Sequence, residues 1–249
     1  MSAKKLWIQI ALVLFLTTHP LWRLPLLQTV RFPGPGGAPA SGGTGPISKV
    51  FSSVAPVGNT NGATTSAVDS TGTTLIVAVI ADFSGASAAT LSDSKSNSYT
   101  CLTRWSGTSS STVHICYTSS SSPTVGSGHT FTCTGTGSFC SIGAIGFTGQ
   151  AASPFSAENG TGNGGANPLA PGSVSTASGG VAVTAISAGS GNALFVTPSG
   201  YTTGGSLNAG GTNFGIGLAY KLTSGASENP SWSFSQANNN QAAGIASFH

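Results

Sequence analysis

The chain has 249 residues, of which only 5% are charged and 36 are glycine, and its formal net charge is +3. Ordinary soluble domains carry about 25% charged residues, so hydroxyl and glycine surfaces replace charge here. The positive balance belongs to the first 40 residues, because the rest holds four bases against five acids, 4 − 5 = −1. The body therefore has no basic stripe, which argues against a nucleic-acid partner.

The amino terminus is typical of a secretory leader. A basic start, Met1–Lys5, precedes an eleven-residue apolar stretch, Leu6–Leu16, which is too short for a bilayer-spanning helix of about 20 residues. We expect a signal peptide with a cleavage point near Ala38–Ala40, or else an uncleaved signal anchor, followed by the flexible spacer Arg31–Gly45. Residues 1–40 thus form the leader and spacer, and residues 41–249 form one extracellular or cell-surface β-sandwich domain.

The stretch Thr73–Ala81, T-T-L-I-V-A-V-I-A, predicts the central strand of the fold. Val, Ile and Thr crowd a helical turn and suit a pleated surface. Apolar residues occur at successive positions without alternation, which is typical of a strand buried on both faces. We therefore expect other elements of the fold to pack against both faces of this strand.

Beyond the spacer, short β-rich segments alternate with Gly, Ser, Asn and Pro clusters, and no helical period occurs. This pattern predicts an all-β, antiparallel sandwich of jelly-roll type. The predicted strands are Ile47–Ala55, Thr73–Asp82, Ser98–Trp105, Thr112–Thr118, His129–Thr134, Phe139–Thr148, Val174–Ala177, Val181–Ala188, Ala193–Thr197, Asn213–Leu222, Ser231–Gln236 and Ala242–Phe248.

The sequence also contains an internal repeat of about one hundred residues. Leu75–Ile80 aligns with Val181–Ile186 at an offset of 181 − 75 = 106, and Tyr117 aligns with Tyr220 at 220 − 117 = 103. Gly143–Phe147 aligns with Gly244–Phe248 at 244 − 143 = 101. Chance self-alignment of Gly/Ala/Ser-rich sequence is the alternative, but the aromatic positions keep their order. The repeat predicts two duplicated Greek-key halves.

Four cysteines in an exported chain predict two disulfides. A hairpin with Cys101 opposite Cys116 places Thr103 opposite His114, and Cys133 and Cys140 close a second hairpin. A zinc site is the alternative. We expect no metal, because the spacings of 15, 17 and 7 residues lack the Cys-x-x-Cys pattern and only His114 lies near a cysteine.

Catalytic patterns are absent from the sequence. A glycoside hydrolase needs two carboxylates beside the bond, and the two candidates, Asp82 and Asp93, are better explained as turn formers. No serine lies in a Gly-x-Ser-x-Gly pattern. Gly160–Gly165 lacks the lysine of a phosphate loop, so a flexible crossing loop is expected there. We expect no catalytic residue and no cofactor.

Aromatic residues are the remaining candidates for ligand binding. Trp105, Tyr117, Tyr201 and Trp232 fall at predicted strand ends beside Gly- and Ser-rich loops, where a lectin would stack sugar rings. Trp232 alternates with Phe234, however, so both residues are equally consistent with a place in the core.

One segment carries a family resemblance. Leu91–Tyr99, L-S-D-S-K-S-N-S-Y, resembles a Val-x-Asp-x-x-Gly-Asn-x-Tyr segment of uncharacterised secreted and phage-borne bacterial proteins that are rich in Gly, Ser and Thr. Pro123–Gly126 matches their Pro-Thr-Val-Gly-like loop, whereas Ser96 stands where Gly is usual. The resemblance covers most of Gly72–Phe248 and implies a jelly-roll-like sandwich with no known activity.

These observations favour a non-enzymatic extracellular structural or adhesive subunit. Its partners would be copies of itself, because near-neutral, hydroxyl-rich surfaces do not repel one another. The segment Ser41–Ala55 would add a strand to the sheet edge of another copy. The alternative is a carbohydrate-binding module that recognises a surface glycan. Contact with a membrane is expected only through an uncleaved amino-terminal segment.

Overall fold

A computed structural model describes residues 45–55, 61–83, 87–108, 110–118, 120–137, 139–162, 166–189, 195–208, 214–235 and 240–249. All regular secondary structure in these ranges is β, which confirms the all-β prediction. Within them, no helix has the length and apolar character needed to cross a membrane. The predicted leader and spacer, residues 1–40, lie outside the described residues.

The described residues form antiparallel strands that belong to two larger and two smaller sheets. In chain order the strands are β1 (Ser48–Val54), β2 (Gly62–Thr64), β3 (Leu75–Phe83), β4 (Thr90–Asp93), β5 (Tyr99–Ser106), β6 (Ser111–Thr118), β7 (Phe131–Thr134), β8 (Phe139–Thr148), β9 (Phe155–Gly162), β10 (Ser178–Ala188), β11 (Phe195–Val196), β12 (Thr202–Asn208), β13 (Gly215–Ser224), β14 (Ser233–Phe234) and β15 (Gln241–Phe248).

The first half is organised around β3, as the sequence predicts. Its five-stranded sheet has the order β1-β8-β3-β6-β5, and a three-stranded sheet has the order β2-β7-β4. Leu75, Val77 and Val79 of β3 belong to one apolar cluster, and Ile76 and Ile80 belong to another. The strand is therefore buried on both faces, which explains its unbroken apolar sequence.

The second half has the same strand order as the first. Its five-stranded sheet runs β9-β15-β10-β13-β12, and β10 holds the central place that β3 holds in the first half. The outer strands also correspond, because β7 pairs with β4 and β14 pairs with β11. Isolated bridges join Val68 to His129 and Val174 to Glu228 at matching places. This order agrees with the predicted repeat, whereas the jelly-roll type stays a prediction.

The core consists of one inner and several outer apolar clusters. The inner cluster combines residues from both five-stranded sheets, including Val79 and Ile145 from the first and Val183 and Leu218 from the second. Two outer clusters lie between a five-stranded sheet and its small sheet, and a third contains Val174, Ala182 and Ile245 of the second half. Each half thus contributes two sheets, and the large ones pack face to face.

Some predicted segments differ from the observed strands. Strands β2, β4, β9 and β12 were not expected, and Val174–Ala177 contains only the isolated bridge at Val174. The expected crossing loop at Gly160–Gly165 is in part the end of β9, and residues 163–165 lie outside the described residues. These strands are very short or rich in Gly, Ser, Thr and Asn, and β-branched composition therefore does not mark them.

Strand β9 needs its glycines because β5 lies close to it. A Cβ atom on Gly160 would lie 2.4 Å from the indole Nε1 of Trp105, and one on Gly162 would lie 1.4 Å from the carbonyl oxygen of Ser106. Glu158 of β9 also accepts hydrogen bonds from the backbone N–H and the hydroxyl of Thr103, at 2.9 and 3.0 Å. The edges β5 and β9 therefore cover each other.

The first disulfide joins Cys101 to Cys116, as predicted, with the two Cα atoms 4.0 Å apart. The two residues are direct partners across β5 and β6. The expected pairing of Thr103 with His114 is wrong, because a register shift after Cys101 places Arg104 opposite His114. The shift is a β-bulge, which inserts one residue and which the hairpin count did not include.

The second disulfide joins Cys133 to Cys140, again as predicted, with the Cα atoms 6.3 Å apart. It does not close a hairpin ladder, because β7 belongs to the three-stranded sheet and β8 to the five-stranded sheet. This bond ties the outer sheet of the first half to the inner one. Both disulfides fit an oxidising environment outside the cell.

Candidate functional site

The resemblance segment forms a buried polar cluster in the first half. Asp93 accepts a hydrogen bond of 2.5 Å from the Tyr99 hydroxyl, and its second oxygen accepts the backbone N–H groups of Lys95 and Asn97, at 2.9 and 3.1 Å. His129 lies 3.1 Å from Asp93, between Nε2 and Oδ2. The expectation that Asp93 bonds to its own turn is thus met, and the contact with His129 is additional.

The charge state of this cluster follows from its contacts. Burial alone raises the pKa of the Asp93 carboxyl, but hydrogen bonds from Tyr99 and Asn97 outweigh it and hold this pKa below its ordinary value. Burial and the adjacent carboxylate both raise the pKa of Tyr99. Asp93 is therefore ionised and Tyr99 is neutral near pH 7.

Ser70, His129 and Asp93 form a chain of contacts like that of a hydrolase triad. The Ser70 hydroxyl lies 2.8 Å from His129 Nδ1, and both residues are fully buried. The same hydroxyl donates to the carbonyl of Gly126 and accepts the Gly126 N–H, at 3.1 and 3.0 Å. A substrate cannot approach an oxygen that is enclosed in this way. Ser70, His129 and Asp93, here called the clasp, therefore form a structural cluster that fixes the loop at Gly126.

The same clasp includes the second piece of the resemblance. The Asn97 side chain donates to the Thr124 carbonyl at 2.9 Å and accepts the Thr124 N–H at 2.7 Å. Ser96 has a φ of 59°, in the left-handed region that favours glycine. Glycine would adopt this backbone conformation without the strain that a Cβ atom causes. The Asp-to-Tyr segment and the Pro-Thr-Val-Gly loop are therefore one structural unit.

The structure separates the four aromatic candidates. Trp232 is fully buried and its indole N–H donates to the Thr184 hydroxyl at 3.1 Å, so its proposed role in ligand stacking is wrong. Tyr117 stacks on Phe155 with ring centroids 5.7 Å apart and packs edge-on against a further ring. Trp105 is half-buried and covers Gly160. The structure does not bring these residues together into one site.

Tyr201 borders an open polar cleft, and Tyr117 borders a smaller one of about 280 Å³. The Tyr201 cleft has a volume of about 480 Å³ and is lined by Val196, Thr197, Ser199, Tyr201, Glu228, Asn229, Pro230, Ser231 and Ser233. Lys221 lies 2.8 Å from the Glu228 carboxylate, and the Tyr201 hydroxyl donates to that carboxylate at 3.3 Å. Burial and then the charge of Glu228 raise the pKa of Tyr201, so its hydroxyl stays protonated.

The cleft and the clasp hold equivalent positions in the two halves. Tyr99 begins β5, whereas Tyr201 directly precedes the corresponding strand β12. His129 and Glu228 occupy the matching bridges to Val68 and Val174. In the first half the loop at Gly126 closes over the polar groups. In the second half the corresponding groups line an open cleft.

Three groups with metal-ligand chemistry meet at the β5–β6 hairpin. One ligand atom each of Cys101, His114 and Cys116 lies within 4.8 Å of the others. The two sulfurs are bonded to each other in this structure, so neither is a thiolate ligand. The expected hairpin already places Cys101 opposite Cys116 and His114 lies two residues from Cys116, but no metal was expected because the cysteine spacing lacks a zinc pattern.

Comparisons with known proteins give no match: no family model, no curated protein and no solved structure is similar to this chain.

Proposed function

We propose that this protein is a non-enzymatic extracellular structural or adhesive subunit that associates with copies of itself through an exposed sheet edge. The observation that carries the proposal is the use of its few ionisable groups. All five Asp and Glu side chains lie in the described residues, and each accepts a hydrogen bond from its own chain, with partners Thr71 for Asp69, Arg104 for Asp82, Tyr99 for Asp93, Thr103 for Glu158 and Lys221 for Glu228.

The edge formed by β1 supports the assembly part of the proposal. Among the described strands β1 has no hydrogen-bonded partner beyond β8, although its end packs against β12, where a Cβ on Gly205 would lie 2.2 Å from Val54 Cγ2. The strand-donor role of Ser41–Ala55 does not fit this fold, because Ser48–Val54 already pairs with β8. Residues 41–44 lie outside the described residues. Strand β1 would instead receive a partner along its free edge.

Ser52 lies in β1, and its backbone N–H points to the side of the strand that faces away from β8. The Ala55 N–H donates to the Ile142 carbonyl of the neighbouring chain segment at 2.8 Å. Because successive N–H groups of a strand point to opposite sides, the N–H of Ser53 points toward β8 and that of Ser52 points away. Proline at position 52 removes this outward donor and leaves the bonds to β8 in place.

The test compares the exported protein with two variants. We expect the wild type and Ser52→Ala to form filaments or large assemblies in electron microscopy and sedimentation, whereas Ser52→Pro stays monomeric with an unchanged melting temperature. Wild-type protein that remains monodisperse and monomeric at all concentrations would refute self-assembly. Assembly of Ser52→Pro at the wild-type level would refute the role of the β1 edge.

The Tyr201 cleft favours a second candidate function, carbohydrate binding. A half-buried ring beside Ser, Thr and Asn side chains provides a stacking surface together with hydrogen-bond partners for sugar hydroxyls. Glu228, which lines the cleft and pairs with Lys221, accepts the Tyr201 hydroxyl, and Lys221 Nζ lies 5.8 Å from the ring centroid. This arrangement orients the ring without using the hydroxyls that line the cleft.

A glycan panel tests the second candidate. If a sugar stacks on Tyr201, Tyr201→Ala abolishes binding and Tyr201→Phe, which keeps the ring, retains most of it. Ser231→Ala weakens binding without changing the melting temperature. Absence of binding to any glycan by folded wild-type protein would exclude this function, and equal binding by Tyr201→Ala would place it elsewhere.

A further inference from the structure

The β5–β6 hairpin combines a disulfide with an adjacent imidazole. Cys116 and His114 are two residues apart on β6, so their side chains lie on one face of the strand. Cys101 lies directly opposite Cys116, and the ligand atoms of all three residues fall within 4.8 Å of one another. These donors therefore need no rearrangement of the backbone to approach a common point.

The His114 ring is oriented as metal-binding histidines are. Its Nε2 lies 2.7 Å from the carbonyl oxygen of Leu102, and this acceptor requires the proton on Nε2. Nδ1 is buried and has no hydrogen-bond partner. Histidines that bind a metal commonly donate their other N–H to a backbone carbonyl, which fixes the tautomer and directs the free lone pair.

The two disulfides differ in exposure. Cys101 is exposed, whereas Cys133 and Cys140 are fully buried. A reductant in solution therefore reaches the Cys101–Cys116 bond and not the bond that ties the two sheets together. Selective opening of the hairpin disulfide leaves the link between β7 and β8 intact.

We propose that reduction of the Cys101–Cys116 disulfide creates a metal site in which both sulfurs and His114 Nδ1 bind a thiophilic divalent cation such as Zn²⁺. A two-electron reductant, either a dithiol or a phosphine, breaks the S–S bond and is itself oxidised. The two cysteine thiols then lose their protons to solvent as the metal binds. Zinc with two sulfurs at about 2.3 Å and one nitrogen at about 2.0 Å keeps a fourth position, which solvent reaches beside exposed Cys101.

The site makes the hairpin a redox-dependent switch between two crosslinks. In the oxidised protein the covalent bond joins β5 to β6, and in the reduced protein the metal joins the same two strands. The fold therefore keeps a crosslink at this edge in both conditions, and the metal-bound form adds an open coordination position.

The test uses the full chain and Co²⁺ as the spectroscopic probe. We expect no cobalt binding before reduction, and one equivalent with thiolate-to-cobalt charge-transfer and tetrahedral d–d absorption after treatment with a phosphine. His114→Ala weakens this binding at least about tenfold. Zn²⁺ displaces the cobalt and protects Cys101 and Cys116 from alkylation detected by mass spectrometry, whereas Cys133 and Cys140 stay disulfide-bonded and unalkylated with or without the metal.

Controls separate the site from adventitious binding. We expect the Cys133→Ser/Cys140→Ser variant to bind cobalt like the wild type. If this variant does not fold, alkylation of the wild type with and without Zn²⁺ identifies the cysteines that bind the metal. The proposal is overturned if the reduced protein binds no cobalt, unfolds, or binds it equally well as His114→Ala or as Cys101→Ser/Cys116→Ser.

Discussion

At the residue scale, the structure depends on a few polar side chains that each satisfy several partners. Asp93 is the main example, since it accepts hydrogen bonds from two backbone N–H groups and the Tyr99 hydroxyl and lies 3.1 Å from His129 Nε2. In a chain with so few charges, such a group fixes loops that apolar packing does not reach.

Asp93 makes the stability of the protein dependent on acid pH. Its folded-state pKa lies below the unfolded value of about 3.9, so the unfolded chain binds the proton more readily. Its stabilising effect is complete above pH 4 and is lost as pH falls through the folded pKa. We expect Asp93→Asn to lower the melting temperature at pH 7 and to flatten this acid dependence.

Thermal melts between pH 2 and 7 measure this effect. Asp69→Asn is the matched control, because Asp69 is exposed and its depressed pKa arises from the local Thr71 contacts. A steeper acid loss in Asp93→Asn than in the wild type would contradict the assignment.

Ser96 provides a second test at this scale. Its φ of 59° is strained for a residue with a Cβ atom, at about 1 kcal/mol. Ser96→Gly should therefore raise the melting temperature by roughly 2–4 °C. Ser98→Gly, two residues away and without a positive φ, should lower it or leave it unchanged. Equal effects of the two substitutions in calorimetry would refute the backbone argument.

At the element scale, the sequence predicts strands best where burial determines composition. Strands β3, β8 and β10 carry Val, Ile, Leu and Ala because they are covered on both faces. Strands β9 and β12 could not be predicted, because close neighbours require glycine there and exposed edges accept polar residues. Both disulfides followed from hairpin spacing, whereas the bulge and the separation of β7 from β8 depend on long-range packing.

The contact between β9 and β5 is tested by two glycines. A Cβ on Gly162 would meet the Ser106 carbonyl oxygen at 1.4 Å, so Gly162→Ala must displace the edge and should cost about 3 kcal/mol. At Gly62 the nearest atom to an added Cβ is 3.4 Å away, and Gly62→Ala should cost less than about 1 kcal/mol. Chemical denaturation measures both values. Similar stabilities would show that β5 and β9 do not lie together.

The candidate site, like the edge strands, could be predicted from the sequence only in part. Tyr201 was found from the sequence as an aromatic residue beside polar loops, but Glu228 and Lys221 were not, because neither lies near it in sequence. Only the pairing of β12 with β13 and the bridge at Val174 place these residues together. The residues of the metal-ligand cluster at His114 were all identified from the sequence, but no metal was expected there because their spacing lacks a zinc pattern.

At the scale of the whole molecule, the two halves share the inner core. Strand β15 illustrates the consequence, because it lies between β10 and β9 in its sheet and all its residues are buried. Deletion of residues 244–249 should therefore prevent folding and abolish the near-UV circular dichroism of the native protein. A truncated protein that melts like the full chain would refute this placement and the correspondence of β15 with β8.

Calorimetric unfolding of the exported protein tests the shared core most directly. Because the inner cluster takes residues from both five-stranded sheets, neither half can unfold without exposing the apolar face of the other. We predict a single transition whose calorimetric and van't Hoff enthalpies agree. Two separate transitions, one for each half, would contradict the account.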